Sequence, residues 1–138
     1  YLQEIINGKL ILTPKKKYIT ENELNITNIR YSNIVDCLIK KEDKIITKTK
    51  KYYMFVLFNL WNYMPTQKIL QTSTFNFKLT NENGKNGYRW SDKLKMSYQN
   101  KDAKGTLKEI INMVKVNKFT MDLSIKLETS RIIHFKIE

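Results

Sequence analysis

Residues 119–138 read FTMDLSIKLETSRIIHFKIE. Phe119, Met121, Leu123, Ile125 and Leu127 alternate with Thr120, Asp122, Ser124 and Lys126. Period two puts the apolar side chains on one face of a strand. Glu128, Thr129 and Ser130 supply a turn. Ile133, Phe135 and Ile137 then alternate with His134 and Lys136. One apolar and one polar face suit an antiparallel pair, here 119–127 with 131–138.

Working upstream, Leu107, Ile110, Ile111 and Val114 fall at i, i+3, i+4 and i+7, which predicts a helix over 106–117 with one buried stripe. Thr106 and Glu109 have the spacing of a capping box at its start. Phe75, Phe77 and Leu79 alternate with Thr74, Asn76, Lys78 and Thr80, and Asn81–Gly87 holds two Asn/Gly turn signals. Tyr88, Trp90, Leu94, Met96 and Tyr98 resume the alternation, so the spacing predicts a second hairpin, 73–80 with 87–98. Asp92 would fall on its apolar face, which points to a bulge or break near Ser91–Lys93.

Tyr52–Met64 is apolar around most of its circumference, with Phe55, Val56, Phe58, Leu60 and Trp61, and predicts a helix over 52–64 buried on most sides. Pro65 or a turn over Thr66–Leu70 ends it. In the N-terminal third, Asn7-Gly8 between apolar runs suggests a hairpin or a helix end followed by a strand. Thr20 with Glu23 caps a short helix through Ile26. Ile34, Val35, Leu38 and Ile39 have helical spacing within Ser32–Lys41. The expected fold is a single α+β domain: an antiparallel sheet of the two hairpins, with helices 52–64 and 106–117 on one face.

A chain of 138 residues fits one domain with a real core, and 41% hydrophobic residues exclude a disordered chain. It begins at Tyr1 rather than Met, which suggests a fragment of something longer. Lys and Arg number 25 against 13 Asp and Glu, a net charge of +12. Both halves are basic, so the charge is not a tail. Such a surface attracts polyanions. The abundance of Lys, Asn, Ile and Tyr is also what AT-rich genomes, viral ones among them, produce, and that bias raises lysine by itself. Cys37 is alone, which excludes an internal disulfide and fits an intracellular setting. The longest apolar run, Met54–Phe58, is too short to span a bilayer, so no membrane partner is expected.

No catalytic motif is present: there is no HExxH, GxSxG or phosphate-binding glycine loop. His134 lies on the polar side of the last strand without a spaced partner. Asp92, Asp102, Glu109 and Asp122 show no metal-motif spacing. No catalytic residue, metal or cofactor is expected. Two basic segments are the candidate sites. Lys85, Arg89, Lys93 and Lys95 interleave with Tyr88, Trp90 and Tyr98, the pairing of phosphate contacts with base-stacking rings that single-strand binders use. Arg89 alternates with Tyr88 and Trp90, so the rings belong to a core and the cations to water. Lys40, Lys41, Lys48, Lys50 and Lys51 surround Glu42 and Asp43, either as a solvated loop or helix end or as a phosphate-contacting segment. The expected partner is RNA or single-stranded DNA. The rival is a protein-interaction module, an accessory subunit of a larger complex.

From Tyr52 the order helix, strand, strand, helix, strand, strand is similar to that of the LAGLIDADG homing endonucleases, whose signature acidic residue at the end of the first helix has no counterpart in Trp61-Asn62-Tyr63-Met64. Over 52–138 the chain also resembles the 4E-type cap-binding translation initiation factors, through Phe75-Asn76-Phe77-Lys78, the glycine-rich turn, Tyr88-Arg89-Trp90-Ser91 and the helix from Thr106. That resemblance implies Trp90 near a methylated base and Lys78 or Lys85 on phosphates. The pair of sandwiching tryptophans in that family's first half has no match.

Overall fold

The computed structural model describes residues 2–6, 9–13 and 16–138. In chain order its elements are β1 (Leu2–Ile6), β2 (Lys9–Thr13), α1 (Glu21–Ile26), β3 (Asn33–Lys41), β4 (Lys44–Thr49), α2 (Tyr53–Tyr63), α3 (Thr66–Thr72), β5 (Phe77–Lys78), β6 (Tyr88–Ser91), β7 (Met96–Gln99), α4 (Ala103–Val116), β8 (Thr120–Lys126) and β9 (Ile132–Ile137). The fold is α+β with antiparallel sheets. β1 and β2 pair as a hairpin. Asn7-Gly8, the expected turn, lies outside the described residues.

The larger sheet has the order β4-β3-β8-β9. Its β8–β9 hairpin matches the alternation, with Met121, Leu123, Ile125, Ile133 and Phe135 buried. β3 is a departure, since the helical spacing within 32–41 belongs to a strand. Ile34 turns inward, a register shift intervenes before Asp36, and Cys37 and Ile39 then turn inward. The irregularity moves the alternation by one residue and so hides its period of two. The Lys40–Lys51 segment, expected as a loop or helix end, is a turn at Glu42–Asp43 followed by edge strand β4.

The smaller sheet has the order β5-β7-β6. Phe77 and Lys78 pair with β7 and not with the segment after Gly87. The expected long strand over 87–98 folds back at Asp92–Lys95, and β6 and β7 form the hairpin. The break read from Asp92 is therefore a full reversal, in which the Lys95 N–H donates to Ser91 O (2.9 Å) and the Leu94 N–H to Ser91 Oγ (3.1 Å). The two expected hairpins thus belong to two sheets rather than one.

α2 and α4 form the layer between those sheets. α2 packs on α4 and β4, and α4 also meets β8. On the far side the Trp61 ring stands edge-on to Phe75 (5.5 Å) and Tyr98 (5.4 Å) beneath the smaller sheet. Asn117 Nδ2 donates to Met64 Sδ (3.3 Å), joining the C-terminal ends of the packed helices α4 and α2, which therefore run in the same direction. α3 follows Pro65 as a short helix of its own.

The capping box at α1 forms as expected, with Thr20 and Glu23 exchanging bonds of 3.1 Å. The one read at Thr106 does not. α4 begins three residues earlier, where Asp102 Oδ1 accepts from the Gly105 N–H (2.7 Å). Thr106 lies buried inside the helix, and Glu109 turns into the core.

Candidate nucleic-acid interface

The end where α2 and α4 begin gathers residues from five segments. Directly opposed residues on neighbouring strands share a face. Arg89 opposes Tyr98, and Tyr98 opposes Phe77, so this row faces α2. Burial pushes the Tyr98 hydroxyl up, and the Arg89 guanidinium works against that shift. Lys51 Nζ lies 4.6 Å over the Phe55 ring, which stands edge-on to Tyr52 at 6.0 Å. Tyr52 itself is 63% exposed.

Beside them the chain turns from α1 into β3. Ser32 Oγ and the Tyr53 hydroxyl are 2.6 Å apart, which fastens this turn to α2. Arg30 Cζ lies 4.9 Å over the Tyr31 ring. A groove of about 690 Å³ runs alongside, lined by Ile26 to Tyr31 on one bank and by Asp102, Ala103 and Lys104 on the other. Lys101 Nζ donates to Thr74 Oγ1 (3.2 Å) nearby. The Lys85 turn reaches the same end, since Gly87 O accepts from the Asn100 N–H (2.8 Å) and Asn86 O from Gln99 Nε2 (3.0 Å). Among the described residues the ion pairs are Lys115–Glu21 and Lys136–Glu138. Arg30, Lys50, Lys51, Lys85, Arg89 and Lys101 are exposed and Lys104 is half-buried, and none has a carboxylate partner among those residues.

The other basic residues singled out in the sequence lie elsewhere. Lys93 and Lys95 flank the opposite turn of the β6–β7 hairpin. There Trp90 is half-buried, its Nε1 donating to Asp92 Oδ1 (3.1 Å). Tyr88 is buried, so the alternation with Arg89 holds, but Arg89 lies on the α2 side and is exposed because β6 is an edge. Lys40 and Lys41 sit by the turn with Glu42 and Asp43, and Lys48 opposes Leu38 across β4–β3. Strand β4 separates Lys44 from Thr49 by about 17 Å, so the run does not form one surface. Lys50 and Lys51 lie just before α2, the helix that the row of Arg89 faces.

Sequence reasoning did not find Arg30, Tyr31, Tyr52, Lys101 or Lys104. Arg30, Tyr31 and Lys101 sit in connections between periodic segments, Tyr52 was read only as the first residue of a buried helix, and Lys104 lies in the first turn of α4, ahead of its expected start. The one signal was chemical, a Tyr beside a cation at each place: Arg30-Tyr31 and Lys51-Tyr52.

Far from this end, His134 Nδ1 is 2.6 Å from Ser124 Oγ, and the Tyr18 hydroxyl donates to Asp122 Oδ2 (2.9 Å). Burial and then Asp122 push that hydroxyl up. Among the described residues no group of three or more His, Cys, Asp or Glu is placed to hold a metal ion. No helix among them is long and apolar enough to cross a membrane. The chain matches no family model, no curated protein and no solved structure.

Proposed function

We propose that this chain binds single-stranded nucleic acid, RNA or DNA, at the end where α2 and α4 begin, and carries out no chemistry on it. The observation that supports this reading most is the company of six exposed cations and the half-buried Lys104 with two exposed tyrosines. Cations follow a phosphate backbone, while exposed rings stack bases that a duplex would keep to itself. Asp102 is the one carboxylate lining the groove.

The test is binding to a labelled single strand and to its duplex across a salt series. The expected result is tighter binding to the single strand, with affinity falling steeply and log-linearly with salt. Salt-insensitive binding, or a preference for duplex, would overturn the reading. Cleavage of either strand with added magnesium would overturn the absence of chemistry. A second reading, an accessory subunit that docks a protein, is favoured by Ile45, which is 54% exposed on edge strand β4. An apolar strand edge of that kind binds without a steep salt slope.

A further inference from the structure

We infer that the groove beside Tyr31 is a pocket for one splayed-out base of the bound strand, with the Tyr31 ring as its stacking platform. The inference rests on the single-strand reading above and assigns it a specific contact.

Four observations carry it. First, Tyr31 occupies a backbone position that suits a different residue. The Ser32 N–H donates to Ile29 O (3.0 Å), closing a turn in which Tyr31 is the third residue with φ of 60°. Positive φ at that place calls for glycine or asparagine. Among the described residues the other non-glycine positions with positive φ are Glu42, Asn86, Lys95, Lys118 and Ser130, none of them aromatic.

Second, the ring does little for folding. Tyr31 is 67% exposed and belongs to no core cluster. A bulky residue at an unfavourable φ with no packing role is a mark of function.

Third, the turn that holds it is fixed. Ile29 is buried on one side of Tyr31, and Ser32 is bonded to Tyr53 on the other. The platform is therefore set before any ligand arrives.

Fourth, its surroundings match a nucleotide. Arg30 lies against the ring, Lys104 lines the facing bank, and Ile26, 86% exposed, offers an apolar wall. Asp102 caps its own helix, so the helix end does not supply the attraction. The cations do.

The test uses Tyr31→Gly, which relieves the backbone and removes the ring, on a single strand of about twelve nucleotides carrying one 2-aminopurine. The expected result is an unchanged or higher Tm, loss of the 2-aminopurine quenching seen with wild type, and weaker binding by about 5- to 150-fold. Tyr31→Phe should restore both. Duplex binding should be the same for all three proteins. If Tyr31→Gly binds and quenches as wild type does, the pocket is refuted while the single-strand reading stands. Adenosine monophosphate competing as strongly as the oligonucleotide would also refute it, by showing a site for free nucleotide. If wild type binds no strand in a salt-dependent way, both fall together.

Discussion

Glu109 is fully enclosed, and four donors converge on its two oxygens: Ser73 Oγ, the Thr74 N–H (3.1 Å), Thr74 Oγ1 (3.0 Å) and Asn112 Nδ2 (3.3 Å). It fastens the segment entering the smaller sheet to α4. Glu109→Ala would strand those donors in the core and should cost about 3–5 kcal/mol, read from urea unfolding. Its spacing from Thr106 had suggested a cap, because Thr-x-x-Glu fits a helix start and a helix interior equally well. Burial decides between them, and burial is not local information. Cys37 shows the same dependence on surroundings. Enclosure first, then Asp36 and Asp122, push its thiol from an ordinary 9.0 up to about 12. A thiolate is the reactive form, so Cys37 should react with a thiol reagent at pH 8 only as fast as the protein opens, a rate that urea raises. The sign of the accompanying pH effect follows. The folded state holds the proton more tightly, so this contribution is complete below pH 9 and is lost as pH rises from about 9 towards 12.

Among the elements, α2 was legible from its nearly all-round apolar surface, and the stripe of α4 and β8 with β9 from one uninterrupted period. β3 was not, because its irregularity after Ile34 turns a strand's alternation into something like a helix's. The 87–98 segment failed for another reason. The turn at Asp92–Lys95 keeps the apolar residues at even spacing in sequence but sets Tyr88 and Trp90 on the face opposite Met96 and Tyr98, so two short strands imitate one long one. The start of α4 was misplaced by three residues, since Asp102 followed by Ala103-Lys104 carries no apolar signal. That assignment is testable. Asp102→Ala removes the acceptor for the Gly105 N–H and should cost about 0.5–2 kcal/mol in thermal or urea unfolding. An unchanged midpoint would return the cap to Thr106.

For the molecule as a whole, charge was legible and its arrangement was not. The lysine run of 40–51 reads as one patch in sequence, yet β4 carries its two ends apart. Lys51 instead lies at the start of α2, and Arg89, from an unrelated segment, lies on the sheet row that faces α2. Two triple variants separate these cases. Arg30, Lys51 and Lys104 changed to Ala should lower the salt slope of single-strand binding by about 2, near 0.7 for each phosphate contact. Lys40, Lys41 and Lys48 changed to Ala should leave it within about 0.7 of wild type. Both should keep their unfolding midpoints, because exposed charges add little to stability. The strand order also has a consequence for assembly in time. β3 lies second in its sheet, between β4, its immediate successor, and β8, which the ribosome makes far later. Until β8 emerges, one hydrogen-bonding edge of β3 lies open as a template for any passing strand. Closure over that sequence distance is slow, and the nascent chain's positive charge is what keeps neighbouring copies apart meanwhile. In pulse-labelled refolding, the amides that β3 shares with β8 should gain protection after those it shares with β4. A chain ending at Asn117 should aggregate once salt screens its charge.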